Sequence, residues 1–116
     1  MIPLTLVTGG NAAAREAAIA AALDSSLHNA VILEGLPAGP APLAAAPRLH
    51  VSRIAPGCLC CTGNLTLRVT LNRVLRTRPE HLFIAPATTG HLDALRAFLL
   101  APPYDELLKL TQDLSL

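Results

Sequence analysis

The sequence predicts a three-layer α/β domain of about four mostly parallel strands with flanking helices. Three observations support that expectation. Short apolar, β-rich runs alternate along the chain with longer stretches of helical pattern, the order expected of βαβ units. Strands so placed are covered on both faces, which favours a parallel sheet. Glycines follow the runs at Gly9-Gly10, Gly35 and Gly90, where the chain must turn. Finally, 116 residues suit one domain, predicted here over 1–116, with a core of Leu, Ile, Val and Ala because aromatic residues are only 3%.

Each element has its own warrant. Leu4-Thr5-Leu6-Val7-Thr8 is a β-rich run ended by Gly9-Gly10. Asn11 can cap a helix from about Ala12 to Leu23, where alanine favours helix. Ala30-Val31-Ile32-Leu33 is a second strand, followed by Glu34-Gly35. Leu36 to Pro47 holds four prolines, which exclude a regular helix or a central strand, so 36–47 is expected as an irregular connection. Arg48 to Ile54 alternates enough to be a third strand. Leu65 to Arg76 has helical spacing and Pro79 stops it. His81 to Ala85 is a fourth strand, and Thr88-Thr89-Gly90 turns the chain. Leu92, Leu95, Phe98 and Leu99 fall at helical spacing until Pro102-Pro103, and a last short helix is expected over Tyr104–Leu110.

Composition removes several function classes. The net charge is +1, and no basic run is interleaved with stacking aromatics, so nucleic-acid binding has no support. No apolar run approaches the roughly 18 residues of a membrane span. The first residues lack the basic flank and apolar core of a secretory signal. The expected location is cytoplasmic, where thiols stay reduced and clustered cysteines favour metal or redox chemistry over a disulfide.

All 3 cysteines fall in Pro56-Gly57-Cys58-Leu59-Cys60-Cys61. From the residues alone, three readings stay open. Three thiolates could hold a soft ion such as Zn²⁺, with water or His50 on the preceding strand completing the set. Cys58 and Cys61 form a Cys-x-x-Cys pair that a following helix N-terminus would activate for redox chemistry. Or the three are small residues in a packed turn.

The string Gly57-Cys58-Leu59-Cys60-Cys61 after a strand resembles the Cys-x-Cys-Cys signature of the CobW-like P-loop GTPases, a family that includes metal chaperones. The layout around it is also similar: a strand-glycine-helix opening, a Glu-Gly after the second strand, and a later strand leading to Thr-Thr-Gly. The resemblance implies the first half of a P-loop NTPase-like domain. It places Glu34 beside the cysteines, making Cys58, Cys60, Cys61 and Glu34 the candidate metal ligands, with zinc as the expected ion. It also marks Gly9, Gly10, Asn11 and Arg15 as residual phosphate-loop positions.

The departures from the family pattern are equally specific. Where the family has Gly-x-x-x-x-Gly-Lys-[Ser/Thr], this chain has Gly9-Gly10-Asn11-Ala12-Ala13-Ala14-Arg15-Glu16. Arg15 replaces the lysine with a bulkier, forked group. Glu16 puts a carboxylate where Mg²⁺ receives a hydroxyl. Ala87 stands about where the family has a glutamate, and no Asn-Lys-x-Asp guanine-reading motif occurs. No catalytic residue is expected, nor GTP hydrolysis, nor GTP with Mg²⁺ as ligand. The predicted function is passive zinc binding in metal handling, or an accessory role beside a protein partner. The alternatives are residual GTP binding, or an interaction module with a redox thiol pair. An exposed sheet edge makes a homodimer a further expectation.

Overall fold

The structure is a computed structural model, and it describes residues 1–35, 43, 47–54, 65–87, 90 and 92–116. Among the described residues, six strands form one sheet: β1 (Ile2–Thr8), β2 (Asn29–Glu34), β3 (Leu49–Ile54), β4 (His81–Ala85), β5 (Leu108–Leu110) and β6 (Leu114–Ser115). Three helices connect them: α1 (Ala12–Ala22), α2 (Leu65–Leu75) and α3 (Leu92–Leu100). The strand order is β3-β2-β4-β1-β5, with β6 also beside β1, and every pairing is parallel.

Period-two alternation sorts the strands' side chains onto two faces. Leu4, Leu6, Ile32, Leu82 and Ile84 point to one face, where Leu67, Leu71 and Val74 of α2 and Leu95 and Leu99 of α3 cover them. Val7, Val31, Leu33 and Phe83 point to the other, against Ile19 of α1. β2 is buried along its whole length, as a central parallel strand must be. This is the predicted three-layer α/β architecture, and all four expected strands and the first three expected helices are present.

One element differs. Tyr104–Leu110 is not a helix: Tyr104–Glu106 makes a single 3-10 turn, and Leu108–Leu110 then extends to pair with Ile2–Leu4. The physical reason lies in that pairing. Leu108 is buried in the core cluster under α2 and α3, while Lys109 points to solvent. A two-residue alternation against a neighbouring strand outweighed a short run of leucines that fits either state. β6 repeats the pattern at Val7–Thr8, so the sheet has six strands rather than four.

Because all strands run one way, Thr8, Glu34, Ile54 and Ala85 end at a common edge. Ligands of open α/β sheets bind beyond that edge. No helix among the described residues is long and apolar enough to cross a membrane.

Candidate functional site

The carboxyl edge is built outward from the turn between β1 and α1. Gly9 and Gly10 both have positive φ, +84° and +59°. A Cβ on Gly9 would also lie 2.6 Å from the Leu116 carbonyl oxygen, so the turn needs glycine for conformation and for close approach. Asn11 then caps α1 as expected, its Oδ1 accepting from the Ala14 N–H at 2.8 Å.

Arg15 is one turn into α1 and buried. Its Nη1 donates to the carbonyls of both Gly9 and Gly10, each at 3.0 Å. The side chain is therefore held within the turn rather than extended into solvent. The guanidinium turns back into the glycine turn because those carbonyls would otherwise lack donors. A phosphate-binding loop aims N–H groups inward at an anion. Here an internal cation meets carbonyl oxygens.

Glu16 is also buried, and it makes a two-pronged ion pair with Arg53 on β3 at 3.1 and 2.8 Å. The Arg53 guanidinium further donates to the Leu43 carbonyl at 3.4 Å. The hydrogen bond to Glu16 raises the Arg53 pKa, which fixes the positive charge. Glu34, buried at the end of β2, accepts from the Ala87 N–H through Oε1 at 2.7 Å. Arg15, Glu16, Glu34 and Ala85 line a cavity of about 10 Å³, which is room for roughly one water. Two carboxylates and one carbonyl-bound guanidinium thus surround this small space among the described residues.

Of the predicted site residues, Gly9, Gly10, Asn11, Arg15 and Glu34 converge on this edge. Cys58, Cys60 and Cys61 lie outside the described residues, as do Thr88, Thr89 and most of 36–46. The chain enters the cysteine segment from Ile54, whose register partner on β2 is Glu34. Among the described residues, no group of three or more His, Cys, Asp or Glu side chains could hold a metal ion.

Sequence reasoning missed three partnerships. Arg53 went unconnected to Glu16 because 37 positions separate them. His81, which sequence marks only as the start of a strand, contacts the Thr5 hydroxyl through Nε2 at 2.9 Å and stacks on Phe83 at 4.2 Å. Burial holds its pKa below the ordinary 6.5. Asp113 makes a two-pronged ion pair with Arg96, 17 positions earlier. Only the alternation of His81 and Phe83 along β4 hinted at any of these.

Comparison with known proteins gives one informative result. A 56-residue stretch, 47% of this chain, is 38% identical to the zinc chaperone YeiR of Escherichia coli (strain K12). That stretch spans only 17% of the relative's length. No family model matches the chain, and no solved structure does.

Proposed function

We propose that this chain handles zinc as cargo and does so without a nucleotide. The metal half of this reading rests on the similarity to a zinc chaperone, together with the Cys58-Leu59-Cys60-Cys61 string. Soft thiolates select Zn²⁺ over the hard cations, and a fourth ligand completes a tetrahedron. Glu34 is the proposed fourth ligand. It sits on the sheet edge from which the cysteine segment departs, and its hydrogen bond from Ala87 would orient it, as ligating carboxylates usually are oriented.

The single observation that carries the nucleotide-free half is Arg15. Its guanidinium occupies the turn that a phosphate would need, and the adjoining space holds about one water. Glu16 is committed to Arg53, so it offers Mg²⁺ neither a hydroxyl nor an unpaired carboxylate.

Elemental analysis of freshly purified, reduced protein tests the reading. About one zinc per chain is expected, falling sharply in Cys60→Ser. Zinc near zero in both proteins would overturn the metal half. A thermal shift with GTP and Mg²⁺ would overturn the other half and favour residual nucleotide binding.

A further inference from the structure

The outer face of α2 and its C-terminal end carry a set of basic groups without an ion-pair partner among the described residues. Arg68 and Arg73 on the helix and, just past it, Arg76 and Arg78 are four of the 9 basic residues. None of them has a carboxylate within ion-pair distance among the described residues, whereas Arg48, Arg53 and Arg96 all do. Two concavities run along this face. One, of about 360 Å³, lies between α2 and the end of α3 and is lined by Arg68, Asn72, Phe98, Pro102 and Tyr104 among others. The second, of about 200 Å³, is lined by Val69, Asn72, Arg73 and Arg76. Asn72 lines both, so the two concavities adjoin at this residue and together make up the α2 groove. Asp105 and Glu106, though next to Tyr104 in sequence, line neither part.

The groove's donors are held in place. The Arg68 guanidinium lies over the Phe98 ring, 5.8 Å from its centroid. The Tyr104 hydroxyl donates to Asn72 Oδ1 at 2.8 Å, which leaves the Asn72 amide N–H groups without an acceptor among the described residues. Burial raises the Tyr104 pKa, so the phenol remains a neutral donor. Arg68, Asn72 and Arg76 are spaced four apart and share a helix face. At 1.5 Å per residue, the first and last are about 12 Å apart along the axis. An extended peptide covers that distance in roughly four residues, with alternate side chains on one face.

From this geometry we infer that the α2 groove binds an acidic, extended segment of a partner protein. Carboxylates four residues apart pair with Arg68 and Arg76, an intervening polar group takes the Asn72 amide, and apolar side chains pack on the Phe98–Pro102 wall and on exposed Val69. Charge complementarity selects this occupant. Nucleic acid fits poorly, because the groove offers one half-buried phenyl ring, Phe98, and no row of aromatic faces on which successive bases could stack.

Fluorescence anisotropy with a short fluorescein-labelled peptide of repeating Asp-Leu-Glu-Ser tests the assignment on the intact chain. Saturable binding that weakens with salt is expected. Arg68→Gln with Arg76→Gln should weaken it roughly thirtyfold, as two exposed ion pairs at the upper end of their usual strength would. The charge-matched control, Arg48→Gln with Arg78→Gln, lies outside the groove and should bind like the parent. Amide shifts on titration should centre on Asn72 and Ala101. No saturable binding, equal loss in the control pair, or equally tight binding of a single-stranded oligonucleotide of matched charge would overturn the inference. So would a dimer, seen by light scattering, that the groove variants abolish, since the occupant would then be a second copy of the chain.

Discussion

Arg15 and Arg53 lie at the carboxyl edge of the sheet, each with its guanidinium taken up by oxygens of the same chain. Arg68, Arg73 and Arg76 line α2 with no carboxylate against them among the described residues. The difference separates structural charge from charge available for binding. A guanidinium removed from water must be satisfied internally, and once it is, it has little left for a ligand. An exposed guanidinium keeps its hydration and can exchange it for a partner's carboxylate. At the turn between β1 and α1 the described cations are held by oxygens of the chain itself, whereas those along α2 face solvent.

The sharpest way to break the comparison is at Glu16. Replacing it with alanine leaves Arg53 without its carboxylate, at a cost of about 3 kcal/mol. This is the low end for a broken buried pair, because 24% of the Arg53 side chain remains exposed. The melting temperature should fall by on the order of 10 °C. Glu16→Leu with Arg53→Leu should recover most of that loss, since no charge is then stranded. Arg15→Ala comes next. Two carbonyls lose their donor, and urea denaturation should register about 1–2 kcal/mol. By contrast, Arg68→Gln with Arg76→Gln should leave stability within about 0.5 kcal/mol. A large loss there would show that these arginines hold the fold together and would erase the distinction.

The smallest expected effect is on pH dependence. Burial depresses the His81 pKa in the folded state, so the unfolded chain binds the proton more readily. Stability from this residue is fully present above the ordinary value of 6.5 and declines as pH falls from there toward the depressed folded value. His81→Gln should flatten that part of a melting-temperature profile. An unchanged slope would assign it to other groups.

Much of the fold could be read from the sequence, because local pattern suffices for β1 to β4 and α1 to α3. Apolar runs, the Asn11 cap and the Pro79 stop are all short-range signals. The last element was not legible. Leu107, Leu108 and Leu110 fit a helix or a strand equally well, and what decides between them is Ile2–Leu4 on the far end of the chain. The candidate site shows the same limit. Sequence places Gly9, Gly10, Asn11, Arg15 and Glu34 at one sheet edge because each follows a strand. It does not show that Arg15 turns back onto the Gly9 and Gly10 carbonyls, a local contact with no pattern of its own, or that Glu16 finds Arg53, which depends on how α1 lies relative to β3. The cysteines remain a sequence-level assignment, as they lie outside the described residues.

The central claim is that the thiol site works without nucleotide because Arg15 fills the place a phosphate would take. Zinc affinity, measured by competition with a chromophoric chelator on reduced protein in the presence and absence of GTP and Mg²⁺, tests it most directly. The account predicts tight zinc binding with the same affinity in both conditions. Zinc binding that appears or strengthens only when GTP and Mg²⁺ are present would contradict it.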